Sequence, residues 1–378
     1  MSDASGFQRI KDLFLQALER EGREREALLR DEDPEVRAEV GSLLSAHEAA
    51  GEFIERPRVV GQSGLLEAIT GTWAVGRRIG RYQVLRQLGR GSLGMVFLAR
   101  DLEGGEDVAL ELLAPEVQAL VGDEAVAELD RRAAELDHPH LARLLAAGRS
   151  VEGLPWLAAE YVRGTPITSW ADRHGLGVGE RVALFGQLLS ALGYAHGLGL
   201  VHGDLKPRNV PVMAEGTVRL VDLGLSTLLA GAVRRARPEG VRPPAATTPY
   251  TSPEAVRGEP LTAASDLYSA GALLYELLVG QPPHGAVAQS PRALERGILG
   301  HEAVAPSRAA VAPMVVDAGV GSFAAHWPEQ MAVRRGADPA GLARQLEPLD
   351  ELVLRLLAKD PAARPASAEE VARALAAL

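Results

Sequence analysis

The sequence predicts an α+β protein in which a small antiparallel β-sheet with one helix precedes a larger, mostly helical part. From residue 81, β-branched or alternating runs are separated by glycine and aspartate, as in RYQVLRQLGR, GMVFLARD and VALELL, which is typical of antiparallel strands. Beyond residue 165, apolar residues recur at helical spacing, as in RVALFGQLLSALGYAHG and DLYSAGALLYELLVG. A sheet followed by helices indicates two lobes with a cleft between them.

A helical extension is predicted ahead of the sheet, with residues 1–75 forming the extension and a linker. Helical spacing of apolar residues begins at Phe7, and a later helix is expected to open at Asp33, with Pro34 in its first turn. The stretch GEFIERPRVVGQSG then interrupts the pattern with glycine and proline. Two interpretations stay open: an accessory bundle packed on the main domain, or a module that docks a partner.

The elements of the main domain are predicted in order. One helix is expected in the sheet lobe at about residues 123–136. The last helix is expected to begin with Ser367 and Glu370 at capping-box spacing. The segment 285–345 is rich in alanine, proline and glycine, and the pattern there predicts no particular structure. The predicted ranges are 81–378 for the main domain, 81–162 for its sheet lobe and 163–378 for its helical lobe.

The composition excludes several classes of protein. The chain has 378 residues, 47% of them hydrophobic, which is enough for a substantial core. The formal net charge of −10 argues against a nucleic-acid binder and weakly against adhesion to anionic membranes. Without cysteine, the chain has no disulfide, thiolate metal site or cysteine nucleophile. No apolar run is long enough to span a bilayer and no signal-peptide core is found, so we expect a cytoplasmic protein.

A glycine-rich stretch, LGRGSLGMV, places Gly89, Gly91 and Gly94 in G-x-G-x-x-G spacing ahead of Val96. Such glycines let backbone amides approach a phosphate closely. A dinucleotide site would need a strand, the glycines and then a helix. Here a second strand follows the glycines, which favours a flap between two strands.

Five further motifs follow in order: LVHGDLKPRNV, LVDLGLS, TTPYTSPE, ASDLYSAG and KDPAARP. Together with the glycine-rich stretch, they resemble the eukaryotic-like (Hanks-type) serine/threonine protein kinases of bacteria, over about residues 81–378. The resemblance implies the bilobal protein-kinase fold, and the N-terminal helices are similar to an extension that some bacterial members carry. The residues that these motifs carry are Asp204, Lys206, Asn209, Asp222, Glu254, Asp266 and Arg364.

The resemblance implies a role for each of these residues. Asp204 is the catalytic base that accepts the substrate hydroxyl's proton, and Lys206 helps to neutralise the moving phosphoryl group. By the resemblance, Asn209 and Asp222 match the two metal ligands, and their oxygen donors suit Mg²⁺. ATP with Mg²⁺ is the implied cofactor. The implied nucleotide-facing positions are Gly89, Gly91, Gly94, Val96, Ala109, Glu111, Ala159, Glu160 and Val162.

Three of the motif residues have structural roles in the family. Glu254 and Arg364 are expected to form a buried ion pair that ties the activation segment to the helical lobe. Asp266 is expected to brace the catalytic loop from its own helix. These residues predict the fold and do not bear on turnover.

The strongest departure from the family lies in VALELL, where the family has a lysine and this chain has Glu111. Strand parity puts Ala109 and Glu111 on one face, which the family turns toward adenine and the phosphates. A carboxylate about 4 Å from a phosphate costs on the order of 4 kcal/mol at an effective dielectric constant near 20. The family's partner glutamate falls on Leu129, so both halves of that ion pair are replaced. Glu111 could instead pair with Arg132, or be protonated or solvated.

The sheet lobe offers no replacement for the missing ammonium group. Residues 81–160 contain no lysine. An arginine such as Arg90 or Arg100 could reach the phosphates, but its planar guanidinium is not equivalent to a compact ammonium.

The other departures from the family are milder, or concern regulation instead of phosphate binding. The catalytic-loop arginine of the family is Gly203, so regulation by a phosphate on the activation loop is predicted to be absent. Leu223 replaces the phenylalanine of the D-F-G motif. Pro211 stands where the family places a leucine under adenine, and proline in a strand indicates an edge or an irregular site. Ala159 is expected to leave the pocket behind adenine open.

These departures favour a pseudokinase, a kinase-fold protein that acts by binding or allosteric control, with phosphotransfer lost or vestigial. The alternative is an active serine/threonine kinase with atypical phosphate anchoring, which the retained Asp204, Lys206, Asn209 and Asp222 support. An intermediate case binds Mg²⁺–nucleotide without transfer. We expect a protein partner and no nucleic acid, and the resemblance allows a homodimer formed through the sheet lobe.

Overall fold

A computed structural model describes residues 74–91, 94–113, 122–133, 136–151, 153–223, 247–284, 290–312 and 328–378. The predicted helices of residues 7–50 lie outside these ranges, so the extension stays a prediction. None of the helices in the described ranges is long and apolar enough to cross a membrane.

The first lobe is a six-stranded sheet with strand order β1-β2-β3-β4-β6-β5, in which all neighbours are antiparallel. One face of the sheet buries a compact apolar cluster that includes Tyr82, Phe97, Leu110 and Ala158. The strands are β1 Arg78–Ile79, β2 Tyr82–Arg90, β3 Gly94–Asp101, β4 Asp107–Leu113, β5 Leu144–Arg149 and β6 Pro155–Glu160. The predicted sheet and the flap between two strands are confirmed.

Helix α1, Asp123–Ala133, packs against strand β5. Two acidic residues in its first turn favour its start, because they lie at the positive end of the helix dipole. The prediction that this helix reaches residue 136 is wrong. Leu136 is outside the helix and packs against Ala195 and Leu200, and the following Pro139 disfavours helical backbone at the residue before it.

The second lobe is mostly helical and is built around α5, Ala263–Val279, most of which is buried. A two-stranded ladder, β7 Thr165–Pro166 with β8 Pro211–Val212, lies ahead of it in the chain. The other helices are α2 Ile167–Arg173, α3 Val178–Gly197, α4 Pro253–Arg257, α6 Pro291–Gly300, α7 Pro306–Ala309, α8 Pro328–Val333, α9 Pro339–Leu346, α10 Asp350–Leu356 and α11 Ala368–Ala376.

The segment 285–345, for which the pattern predicted no structure, contains four short helices in its described parts. Helices α6, α7 and α9 have proline in their first turn. Proline suits that position because its fixed φ is already helical and its missing N–H would have no partner within the helix. The prolines therefore begin helices here instead of excluding them.

The cap of the last helix differs from the predicted capping box. The Ser367 hydroxyl accepts a hydrogen bond from the Glu370 N–H at 3.2 Å, as predicted. The Glu370 carboxylate, however, accepts from the N–H of Ala366 at 2.8 Å and not from that of Ser367. The second hydrogen bond of the predicted capping box, from the Ser367 N–H to the Glu370 carboxylate, is therefore wrong, because the donor is the preceding residue, Ala366.

Candidate active site

The loop between α3 and β8 brings together three of the predicted site residues. Lys206 Nζ lies 2.6 Å from Asp204 Oδ2. The Asn209 side-chain amide donates to the Asp204 carbonyl oxygen at 2.8 Å, which leaves its own oxygen available as an acceptor. Both side chains of the Lys206–Asp204 pair are part-exposed. A carboxylate, an ammonium group and an amide oxygen are thus held on one short stretch of backbone.

Asp222 follows this loop and has a left-handed backbone, with φ 59°. It is the one non-glycine residue with positive φ in the described ranges, and aspartate tolerates this region better than most side chains. The Val221 N–H donates to the Asn209 carbonyl oxygen at 3.0 Å, which places Asp222 beside the loop. Strained backbone of this kind is common at functional sites.

Burial raises the pKa of Asp222; His202 opposes this shift, Asp204 adds to it and Lys206 opposes it. A bound cation would lower the pKa again, because it stabilises the ionised carboxylate. Asn209 and Asp222 therefore fit a Mg²⁺ ion. Within the described residues, no three acidic or histidine side chains form a metal site by themselves, so such an ion needs further oxygen ligands from phosphates or water.

The predicted brace on the catalytic loop is confirmed. Asp266 on helix α5 accepts the N–H of His202 at 2.7 Å and the N–H of Gly203 at 2.8 Å. The buried His202 ring lies 3.0 Å from the Val221 carbonyl oxygen through Nε2, and its Nδ1 accepts the Asp204 N–H at 3.2 Å. The loop is therefore positioned by contacts that do not involve substrate.

The predicted ion pair between Glu254 and Arg364 is also confirmed. Two parallel bonds join them, Nη1–Oε1 at 2.7 Å and Nη2–Oε2 at 2.9 Å, and both side chains are buried. Arg364 donates further to the carbonyl oxygens of Ala264 at 2.7 Å and Ala358 at 2.9 Å. Its guanidinium lies 5.1 Å from the ring centroid of Tyr268. This pair joins the end of the activation segment to the helical lobe.

Glu111 lies on strand β4 between Val96 of β3 and Leu157 of β6 and is only 5% exposed. Its carboxylate packs against the turn of the glycine-rich stretch. A Cβ placed on Gly91 would collide with a carboxylate oxygen and would lie 3.0 Å from Cδ. The acid group therefore fills the space directly beneath the flap.

Leu129, at the position of the family's partner glutamate, is 4% exposed and belongs to an apolar cluster with Leu113, Val126 and Leu157. Leu157 is the cross-strand neighbour of Glu111, so the cluster adjoins the acid group. The position of the family's partner glutamate is therefore apolar. The side chain of Arg132 is not among those that the structure describes, so its contact with Glu111 stays a prediction.

The glycines of the flap differ in why they are needed. Gly91 donates its N–H to the Gly94 carbonyl oxygen at 2.9 Å and closes the turn. Gly94 opens strand β3 opposite Leu113 and is buried. A Cβ on Gly94 would overlap the backbone of β4, 2.8 Å from the carbonyl carbon of Leu112. Gly94 is thus required by strand packing, independently of any phosphate.

Replacing Gly94 with alanine is expected to lower the free energy of unfolding by about 1–3 kcal/mol, because two strands must separate to admit the methyl group. Replacing Gly91 with alanine is expected to cost less, since the atoms it meets are side-chain atoms of Glu111 and Val96. Urea denaturation of both variants measures the difference. Equal losses would contradict this explanation of Gly94.

Four of the other positions predicted to face nucleotide, Gly89, Val96, Ala109 and Ala159, lie on one face of the sheet. Ala109 and Ala159 are neighbours across β4 and β6 and are half-buried, as is Val96. Val162 follows β6 in the segment that joins the lobes and is also half-buried. Gly89 lies in β2 opposite Val96.

The side chain of Glu160 forms an ion pair with Arg219 and accepts the Arg143 N–H at 3.2 Å. Arg219 also donates to the Pro139 carbonyl oxygen at 2.7 Å. Sequence reasoning missed Arg219, because its partner is 59 residues away and no local pattern marks the pair. The pair joins the end of strand β6 to the helical lobe.

Two smaller predictions concern Arg100 and Pro211. Arg100 is bound to Asp107 at 2.7 Å and is not placed to anchor a phosphate, whereas the side chain of Arg90 lies outside the described ones. Pro211 pairs with Pro166 in the two-stranded ladder, so the prediction of an edge or irregular strand is confirmed.

Comparisons with known proteins agree with this geometry. The family model described as "Protein kinase domain" matches residues 82–375. A serine/threonine-protein kinase of Myxococcus xanthus, pkn3, is 32% identical over 78% of this chain and 49% of its own length. A probable serine/threonine-protein kinase PknB of Bifidobacterium longum is 32% identical over 54% of this chain and 31% of its own length. The chain thus spans between 31% and 49% of the length of these relatives.

Among solved structures, a variant of the PknI kinase domain of Mycobacterium tuberculosis aligns with a TM-score of 0.53 at 25% identity. The alignment covers 80% of this chain and 98% of that domain. The two-lobed architecture predicted from the sequence is therefore confirmed by a solved relative.

Proposed function

Because this chain belongs to the protein kinase domain family, among the Hanks-type kinases of bacteria, we propose that it acts by binding or allosteric control, with phosphoryl transfer lost or vestigial. One observation carries this proposal: the buried carboxylate of Glu111 lies beneath the glycine-rich turn, where the family anchors phosphates with a cation. Like charges about 4 Å apart cost on the order of 4 kcal/mol at an effective dielectric constant near 20. Even about 3 kcal/mol is roughly a hundredfold in affinity or rate.

Two neighbouring features support the same proposal. Leu129 belongs to an apolar cluster, so the position of the family's partner glutamate offers no carboxylate to a cation introduced on strand β4. Gly203 carries no guanidinium to read a phosphate and has φ 77°. An arginine restored there would add a left-handed backbone cost of about 1–2 kcal/mol.

A second candidate function, an active serine/threonine kinase with atypical anchoring, is favoured by the retention of the predicted catalytic base, the lysine beside it and the two predicted metal ligands. Asp204 could accept the proton of a substrate hydroxyl, and the Lys206 ammonium beside it could neutralise charge on the transferring group. Asn209 and Asp222 would hold Mg²⁺, which when bound supplies positive charge to the phosphate oxygens. The two candidates differ in whether phosphoryl transfer takes place in spite of the carboxylate at position 111.

Autophosphorylation of the purified chain with labelled ATP and Mg²⁺ separates the candidates. We expect incorporation by the unaltered chain to be no higher than by its Asp204→Asn variant. Robust incorporation that disappears in Asp204→Asn would overturn the proposal and establish the second candidate. Thermal denaturation with ATP, in Mg²⁺ and in EDTA, then reports whether nucleotide binds without transfer.

We also propose that the chain binds a protein partner. A second copy of the chain, bound through the sheet lobe, is one such partner. A cytoplasmic location also stays a prediction from the sequence. Light scattering after size-exclusion chromatography, over a range of concentrations, tests the homodimer directly.

A further inference from the structure

The helical lobe contains a cluster of titratable side chains that is separate from the predicted catalytic residues. Tyr268 on helix α5, His284 in the turn after that helix and Lys359 between α10 and α11 meet there. His284 Nε2 lies 3.3 Å from the Tyr268 hydroxyl oxygen and 3.3 Å from Lys359 Nζ. Tyr268 and His284 are buried, whereas Lys359 is partly exposed. Lys359 is therefore the member of the cluster that a solute can reach.

The imidazole of His284 is a neutral acceptor of hydrogen bonds. Burial, together with the neighbouring charges of Lys359 and His301, lowers the pKa of His284 to about 4, so the ring is uncharged at neutral pH. An ammonium group can only donate, which makes Nε2 the acceptor and places the ring proton on Nδ1. The ring thus offers Lys359 a proton acceptor but no counterion.

The ammonium form of Lys359 is poorly stabilised by its surroundings. Within the described part of the chain, Lys359 forms no ion pair with a carboxylate. Burial lowers the pKa of Lys359, the charge of Glu302 raises it and that of Arg364 lowers it. Lys359 Nζ and the Arg364 guanidinium lie 5.9 and 5.1 Å from the centroid of the Tyr268 ring. Desolvation and a second cation nearby are the conditions that activate a lysine amine as a nucleophile.

Lys206, the other lysine in the described ranges, has the opposite environment. Its Nζ lies 2.6 Å from a carboxylate oxygen of Asp204, so its ammonium group has a counterion. The third lysine of the chain, Lys11, lies outside the described residues. The chain therefore contains its own comparison between a lysine paired with a carboxylate and a lysine that faces a neutral imidazole.

We propose that Lys359 is a site of covalent acylation by small acyl phosphates. The unprotonated amine attacks the carbonyl carbon, a C–N bond forms, the C–O bond to phosphate breaks and inorganic phosphate leaves. His284 Nε2 takes the proton that the amine loses and releases it to the departing phosphate. A small donor is required because Lys359 is only partly exposed. The modification removes a positive charge beside Arg364, whose guanidinium pairs with Glu254.

Incubation of the full chain with acetyl phosphate over a range of pH, with each acetylated lysine quantified by peptide mass spectrometry, tests the inference. At pH 7 we expect acetylation of Lys359 to be at least about threefold faster than that of Lys206, within the tenfold that one unit of pKa would give. The rate at Lys359 should also reach half its maximum at a lower pH. Acetylation of Lys359 that is no faster than that of Lys206, or that follows the same pH profile, would overturn the inference.

His284→Glu supplies the missing counterion, and we expect it to abolish the advantage of Lys359 over Lys206. Its matched control is His174→Glu, which makes the same change at an exposed position after helix α2 and should keep the advantage. Equal effects of the two variants, or no effect of His284→Glu, would show that the His284 contact does not set the reactivity, and the inference fails. Thermal denaturation verifies folding; if His284→Glu is unfolded, the pH profile of the unaltered chain decides. No nucleotide is present, so failure here leaves the proposed function untouched.

Discussion

Replacing Arg364 with leucine is expected to lower the free energy of unfolding by about 3–5 kcal/mol, since it leaves a buried carboxylate without its counterion. Glu254 receives two of the guanidinium's hydrogen bonds, at 2.7 and 2.9 Å. The carbonyl oxygens of Ala264 and Ala358 lose their donors in the same variant. A buried acceptor left without a partner costs more than the net contribution of the bond itself.

Chemical denaturation of Arg364→Leu measures this loss, and Arg355→Leu is its matched control. Arg355 pairs with Glu370 at 3.2 Å, but the two side chains are 46% and 36% exposed. An exposed pair of this kind contributes less than about 1 kcal/mol. Similar losses in the two variants would show that burial of the Glu254–Arg364 pair carries no extra stability.

The loss in Arg364→Leu should also depend on pH. Burial by itself raises the pKa of Glu254, but the bonds from Arg364 and Ser265 outweigh it and hold the pKa below its usual value. In the wild type this stabilisation is present above the unfolded pKa of about 4.3 and is lost as pH falls through the folded value. In the variant the bonds from Arg364 are lost while burial and the bond from Ser265 remain, so the pKa of Glu254 rises and the protonated form is favoured. The stability difference should therefore shrink between pH 7 and pH 5, and a constant difference would contradict the assignment.

The second large effect is expected at Leu129. Leu129→Glu should lower the free energy of unfolding by about 3 kcal/mol or more, because it removes apolar contacts with Val126 and Leu157 and buries a carboxylate. Adding Glu111→Lys should recover at least about 1 kcal/mol of that loss, within the range measured for residues in contact. The recovery arises because an ammonium group on β4 would face the new carboxylate.

A double-mutant cycle on denaturation free energies measures this coupling. The matched cycle uses Leu129→Ala, which removes the same apolar contacts without adding charge. No coupling with Glu111→Lys is expected there. If the changes in the free energy of unfolding caused by Leu129→Glu and Glu111→Lys simply add in the double variant, side chains at positions 111 and 129 do not interact in this fold.

Local patterns predicted the elements with strong periodicity and the residues within short motifs. The strands around VALELL, the brace from Asp266 and the pairing of Glu254 with Arg364 were all expected. The end of α1 and the cap of α11 were not, because helix ends depend on one or two competing hydrogen bonds. The helices that begin at prolines were missed because proline signals both breaks and first turns.

The sequence by itself determined the charges of the candidate site: an acid at position 111, no lysine at residues 81–160, and the retained Asp204 and Lys206. Only the tertiary structure decided where those charges lie. It placed the Glu111 carboxylate against the Gly91 turn, gave Gly94 its role in strand packing and joined Glu160 to Arg219. The physical reason is that periodicity reports on neighbours a few residues apart. Contacts between distant segments exist only after the sheet and the helices have packed.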